Sequence, residues 1–198
     1  MKSKSFLLIF TFLIISLANI NNSYSITPGV FVQSTVNRAS EALSNNYSKE
    51  EKINKLMAIA KETVDIEGIG FYTIGSYRKN LNSDQKKKYS ILFEKYFLKS
   101  FSSRLAEYSN PEIKVQSSKK LNENYTMVSS TLVATEKRPE VKIDWRIYTK
   151  NPENLLIRDL IIEGLSLART QKEEFSSIIQ SNDGNIEALF ADLKKFIN

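Results

Sequence analysis

Apolar residues recur at helical spacing through the first half of the chain and at alternate positions through much of the second. Phe31, Val32, Thr35, Val36, Ala39, Ala42 and Leu43 form one stripe behind Pro28-Gly29, which predicts a first helix. Ser48 and Glu51 make a capping box ahead of Ile53, Leu56, Met57, Ala60 and Val64, so a second helix starts near Lys49 and ends near Asp65. Gly68, Gly70 and Gly75 then interrupt an aromatic stretch, Phe71 to Tyr77, and predict short helical turns. Asn82 and Gln85 repeat the capping pattern before Tyr89, Leu92, Phe93, Tyr96, Phe97, Phe101, Leu105 and Tyr108. This spacing predicts a helix of about 27 residues, roughly 40 Å long, with a mostly aromatic stripe. Asn110-Pro111 stops it.

Period two follows. Runs over 113–121, 125–135, 141–149 and 155–163 read as strands. Val141, Ile143, Trp145 and Ile147 alternate with Lys142, Asp144, Arg146 and Tyr148, which gives that strand one apolar and one polar face. The connectors are too short for parallel crossovers, so the sheet is an antiparallel meander. Beyond Gly164, Thr170 and Glu173 suggest another capping box before Phe175, Ile178 and Ile179. Asp183-Gly184 then turns the chain into a final helix burying Ile186, Leu189, Phe190, Leu193 and Phe196. The expected fold is α+β, a four-stranded antiparallel meander packed with N-terminal and C-terminal helices in a single domain over 26–198. The alternation leaves open whether the space between the layers is filled or hollow.

Composition narrows the chemistry. The 198 residues include no cysteine and no histidine, which excludes Cys/His metal sites, histidine acid/base work and nucleophiles activated by imidazole. Lys2 and Lys4 precede an acid-free apolar stretch from Phe6 to Leu17 and a small-residue site at Ser23-Tyr24-Ser25, so residues 1–25 read as a secretory signal peptide. With no cysteine behind that stretch, a lipoprotein anchor is excluded. Cleavage after Ser25 removes two of the 28 basic residues and leaves 26 against 22 acidic, a net charge of +4. Lys86-Lys87-Lys88, Lys119-Lys120 and Lys194-Lys195 read as solvated element ends or faces, and no nucleic-acid partner is expected. An exported chain without disulfides relies on its hydrophobic core, which a domain of this size can supply.

Few residues offer catalysis. Asp159 and Glu163 share one face of the last strand, but four residues of strand separate their backbones by about 13 Å, beyond the roughly 5 to 9.5 Å of a working carboxylate pair. Ion pairing with Arg146, Arg158 or Arg169 accounts for them more simply. Ser166 lacks the second glycine of G-x-S-x-G, the glycines at 68, 70 and 75 do not make a G-x-G-x-x-G loop, and Asp183-Gly184-Asn185 lacks the alternating acids of a calcium loop. No metal, cofactor or enzymatic activity is expected. An excess of large apolar side chains remains: Phe93, Phe97 and Phe101 on the long helix, with Ile143, Trp145 and Ile147 on the sheet. They form either a closed core or a slot for an apolar ligand.

Residues 64–193, taken as a series, resemble the MlaC-like periplasmic phospholipid-binding proteins, also described as auxiliary toluene-tolerance transport components. The resemblance rests on Val64-Asp65-Ile66-Glu67-Gly68-Ile69, on Gly75-Ser76-Tyr77-Arg78 followed by Asp84-Gln85, on the aromatic helix through Phe93, Phe97, Phe101 and Tyr108, and on Phe175. Its most specific segment is Asp159-Leu160-Ile161-Ile162-Glu163-Gly164-Leu165-Ser166-Leu167. The chain departs from the family at Leu155, where a tryptophan is usual, at Leu156, where a basic residue is usual, and at Lys172, where an arginine is usual.

The resemblance implies a non-enzymatic carrier in the periplasm of a Gram-negative bacterium, with an apolar pocket between sheet and helices for the acyl chains of a diacyl phospholipid. It implies two partners, an inner-membrane ABC transporter with a lipid-binding domain and an outer-membrane lipoprotein/porin complex, and a role in outer-membrane lipid asymmetry. Related members handle hopanoids. The residues expected to line the pocket are Phe93, Phe97, Phe101, Val128, Ile143, Trp145, Ile147, Ile162 and Leu165.

Overall fold

The computed structural model describes residues 26–44, 46–136 and 138–198, so the signal segment expected over 1–25 lies outside the described residues. Among the described residues, four α-helices precede the sheet: α1 (Pro28–Ala42), α2 (Lys49–Thr63), α3 (Ile66–Thr73) and α4 (Ser83–Leu105), with a 3-10 turn at Gly75–Lys79. The strands are β1 (Ile113–Lys120), β2 (Tyr125–Leu132), β3 (Val141–Tyr148), β4 (Leu156–Ile162) and β5 (Leu165–Ser166), followed by α5 (Leu167–Gln180) and α6 (Ile186–Ile197).

The capping signals act where the sequence places them. Ser48 and Glu51 bond reciprocally at the start of α2, and Asn82 and Gln85 do so at α4. Helix α4 has 23 residues and ends at Leu105, one turn before the expected stop. Helix α5 begins earlier than expected. Its cap is Ser166, whose hydroxyl accepts from the Arg169 N–H, and Thr170 already lies inside the helix.

The sheet is an antiparallel meander in the order β1-β2-β3-β4-β5, one strand more than expected. The addition follows from Glu163 and Gly164, both at positive φ (50° and 84°), which close a two-residue hairpin loop and return Leu165 and Ser166 alongside Ile162 and Ile161. Two bulges bend the sheet, one in β1 between Val115 and Ser117 and one in β4 opposite Arg146 and Ile147. The strand at the outer margin is β1, which carries Lys114, Lys119 and Lys120.

Three apolar clusters hold the layers together. The first joins α3, α4, α5 and α6 through Tyr89, Phe93, Phe175, Phe190 and Leu189. Gly70 is required there, because a Cβ at that position would lie 2.7 Å from a ring carbon of Phe93. The second covers one face of the sheet with α1: Val32 and Val36 meet Val128, Leu132, Ile143, Trp145, Ile147, Leu155 and Ile157. A smaller third cluster ties α1 to α2 and the end of α4 through Ala42, Leu43, Leu56 and Ala106. Val64 touches both larger clusters. Its bridge to Ile157 and the Asp65 N–H bond to the Ile157 carbonyl (3.0 Å) join the helical bundle to the sheet.

Candidate functional site

The apolar face of the sheet is built by register. Val128 pairs with Trp145 and Ser130 with Ile143, while Trp145 pairs across β4 with Leu160 and Ile147 with Ile157. The face is therefore continuous over three strands, and β1 extends it with Ile113 and Val115. Its buried polar atoms are satisfied in place. The Trp145 indole N–H donates to the Ser130 hydroxyl at 2.8 Å, and that hydroxyl donates to the Ile143 carbonyl at 3.1 Å. Trp145 is thus oriented without exposing a polar group to the layer.

Six of the nine expected pocket residues fall in the two larger clusters; Phe101, Ile162 and Leu165 lie outside both. Val128, Ile143, Trp145 and Ile147 line the sheet face under α1. Phe93 belongs to the helical cluster, where its ring meets Tyr89, Phe97 and Phe175. Phe97 packs half-buried on that cluster and stacks on Phe101 with ring centroids 5.5 Å apart. Ile162 ends β4 opposite Ile143 and is half-buried. Leu165, on the short fifth strand, pairs with Ile162 and so shares the face of Ile143, but at 61% exposed it lies beyond the cover of α1. The cover itself, Phe31, Val32 and Val36, was absent from the expected set. Its stripe was visible, but a stripe does not name the surface it lands on.

Side chains fill the layer between α1 and the sheet; Val32, Val128 and Ile147 have no exposed surface. Two hollows open elsewhere on the surface. One, of about 450 Å³, lies between Tyr72, Arg169, Lys172 and Ser176, and the other, of about 370 Å³, runs along α1 past Val30, Gln33 and Arg38.

Asp159 of β4 and Glu163, in the loop that follows it, each hold backbone groups. Asp159 is buried and accepts from the Ser166 hydroxyl (2.6 Å) and the Ala168 N–H (3.0 Å), with Arg146 3.3 Å away. It pins the first turn of α5 to the sheet, and Arg146 is the one of its three expected partners that it meets. Glu163 accepts the Lys142 backbone N–H across the sheet. Each carboxylate is committed to a different backbone group, so the pair shares no reacting centre.

At the junction of bundle and sheet, Arg158, the extra residue of the β4 bulge, pairs with Asp65 at 2.5 Å and donates to the Tyr125 hydroxyl at 2.9 Å, its guanidinium lying over the Tyr148 ring. Desolvation alone lowers the basicity of Arg158, but Asp65 and Tyr125 outweigh it and hold the guanidinium above its ordinary range. Asp65 also caps α3 through the Gly68 N–H. Among the described residues no group of three or more acids is placed to hold a metal ion.

Comparison with known proteins bears on this geometry. A stretch of 103 residues, half of this chain, is 27% identical to the intermembrane phospholipid transport system binding protein MlaC of Haemophilus influenzae. That stretch spans about half the relative's length (48%). The fold matches that of a phospholipid-binding protein from Ralstonia solanacearum, solved in complex with a phospholipid. The TM-score is 0.73 at 18% identity, covering 87% of this chain and 97% of the other. The model of the MlaC protein family matches residues 33–195, from the middle of α1 to the last turn of α6, and the chain belongs to that family.

Proposed function

We propose that the protein is a periplasmic phospholipid carrier that holds acyl chains against the apolar face of the sheet and moves the lipid between membranes without altering it. The observation that carries this reading is the continuous apolar face through Val128, Ile143, Trp145 and Ile147, covered by one helix, in a chain of the MlaC family. The bound phospholipid of the Ralstonia protein supports it.

The energetics fit a carrier. Exposing roughly 30 methylenes of two acyl chains to water costs on the order of 24 kcal/mol, so a phospholipid does not cross an aqueous space unshielded. Entry requires α1 and the sheet to part. The apolar surface uncovered when Phe31, Val32 and Val36 leave the sheet is covered again by the chains, so exchange is close to neutral and needs no chemistry. That agrees with the Asp159 and Glu163 carboxylates, which are occupied in holding backbone. Direction then comes from partners, an inner-membrane ABC transporter on one side and an outer-membrane lipoprotein/porin complex on the other.

Protein purified from its native compartment, extracted with solvent and examined by mass spectrometry, is expected to yield a diacyl phospholipid in about one-to-one ratio. Protein that emerges empty and takes up no lipid from liposomes overturns the proposal.

A further inference from the structure

The positive charge of the chain is not evenly distributed. Helices α4 and α6 carry eight cations against four acids, a surplus of four. Residues 26–198 as a whole carry 26 against 22, the same surplus, so everything outside these two helices is balanced. The two helices lie side by side and run in the same direction. Lys88 meets Glu187 at 2.5 Å, Tyr89 stacks on Phe190, and three turns further on Lys99 donates to the carbonyls of Phe196 and Ile197, both at 2.9 Å.

On α4, Lys87, Ile91, Lys95 and Lys99 follow one another at steps of four, with Lys88 beside them, and all five are exposed. Lys194 flanks them across the seam, close enough to act with Lys88 on the Glu187 carboxyl. Two of the four acids on these helices are spoken for, Glu187 by Lys88 and Glu94 by Lys61 at 3.5 Å, while Asp84 and Asp192 are exposed. Among the described residues Lys87, Lys95 and Lys195 make no ion pair. Ile91 stands 48% exposed among them, and Phe196 44% exposed at the end of the seam.

From this we propose that the α4/α6 face is the surface by which the protein settles on an anionic bilayer. The cations exposed along the stripe from Lys87 to Lys99 are lysines; Arg104, the one arginine of the two helices, lies five residues beyond it. An arginine fork pairs bidentately with a carboxylate and suits an acidic protein partner, whereas lysines are point charges suited to a diffuse field of lipid phosphates. The two surface hollows described above, of about 450 and 370 Å³, are lined by other residues. Ile91 and Phe196 supply apolar groups of the kind that dip into a headgroup layer. The proposal concerns encounter with the membrane and goes beyond the identity of the cargo.

The test is flotation of the purified protein with vesicles of phosphatidylcholine containing phosphatidylglycerol and with vesicles of phosphatidylcholine alone, at low and high salt. It includes the double variants Lys87→Glu/Lys95→Glu and Lys119→Glu/Lys120→Glu, which change the net charge equally. Binding is expected on the anionic vesicles only and weakened by salt. It should be reduced at least about tenfold by the α4 pair and less than about twofold by the β1 pair. Phospholipid content is measured on each variant and is expected to be unchanged, which separates failure of this proposal from failure of the carrier reading. Four outcomes overturn it: no flotation with anionic vesicles at low salt, equal flotation with neutral vesicles, equal losses in the two variants, or retention by immobilised polyglutamate without vesicle binding. The last would assign the face to an acidic protein.

Discussion

Replacing Asp159 separates a structural carboxylate from a catalytic one. The side chain is 1% exposed and holds two donors, the Ser166 hydroxyl and the Ala168 N–H, beside the Arg146 guanidinium. Asp159→Ala leaves both donors unpaired and Arg146, still about one-third exposed (36%), without its counter-ion. A hydrogen bond to a charged group contributes about 1.5 to 3 kcal/mol, and loss of one member of a buried pair costs about 3 to 5 kcal/mol. Water reaching Arg146 recovers part of this, so a loss of about 3 to 4 kcal/mol is expected, a fall in melting temperature of about 6 to 16 °C for a domain of this size. Asp159→Asn keeps one acceptor for the Ala168 N–H and should lose about half as much. Urea denaturation followed by circular dichroism measures both, and the extracted lipid of the folded Asn variant is quantified alongside. A loss below about 1 kcal/mol for the alanine variant would show that Asp159 does not pin α5 to the sheet. An Asn variant of native stability that had lost all activity on its cargo would restore the catalytic reading.

Three further perturbations probe the packing. Gly70→Ala should destabilise by about 1 to 2 kcal/mol, because overpacking against the Phe93 ring exceeds the gain in helix propensity; a neutral or stabilising result in thermal melts would mean that the ring yields. Burial pushes the Tyr89 hydroxyl, bonded to Thr73 (2.8 Å) and the Gly70 carbonyl (3.0 Å), well above its ordinary value of 10.0. The unfolded chain therefore gives up that proton first, so native stability should fall as pH rises above 10, and Tyr89→Phe should flatten the decline in urea titrations. Trp145 is the sole tryptophan and faces the layer beneath α1, so loading with a brominated-acyl phospholipid should quench its fluorescence; full emission from stoichiometrically loaded protein would place the chains elsewhere.

Local signals in the sequence reached local structure. The Ser48/Glu51 and Asn82/Gln85 boxes start α2 and α4, and the period-two runs lie within a residue or a few of the observed strands. The errors arose where a tertiary partner decided the outcome. Thr170/Glu173 has the spacing of a cap, but Ser166 stands three residues ahead of Arg169 as well, and Asp159 stabilises the earlier start by taking the Ala168 N–H from across the sheet. The two-residue Glu163-Gly164 loop is a legible hairpin signal, and reading Gly164 only as a stop concealed the fifth strand. Alternation in β3 identified the apolar face of that strand, while the aromatic stripe of α4 packs into the helical bundle. Periodicity says which side of an element is buried and nothing of which neighbour buries it.

The lysines on β1 acquire a purpose once α1 is free to lift. An uncovered sheet with a bare outer strand is a template on which a second copy can continue the ladder, and repetition of that step ends in fibrils. Lys114, Lys119 and Lys120 stud that margin, so two copies approaching edge to edge meet like charge at the moment their greasy faces are bared. A carrier that opened in the way proposed would thereby be kept from adding to a copy of itself.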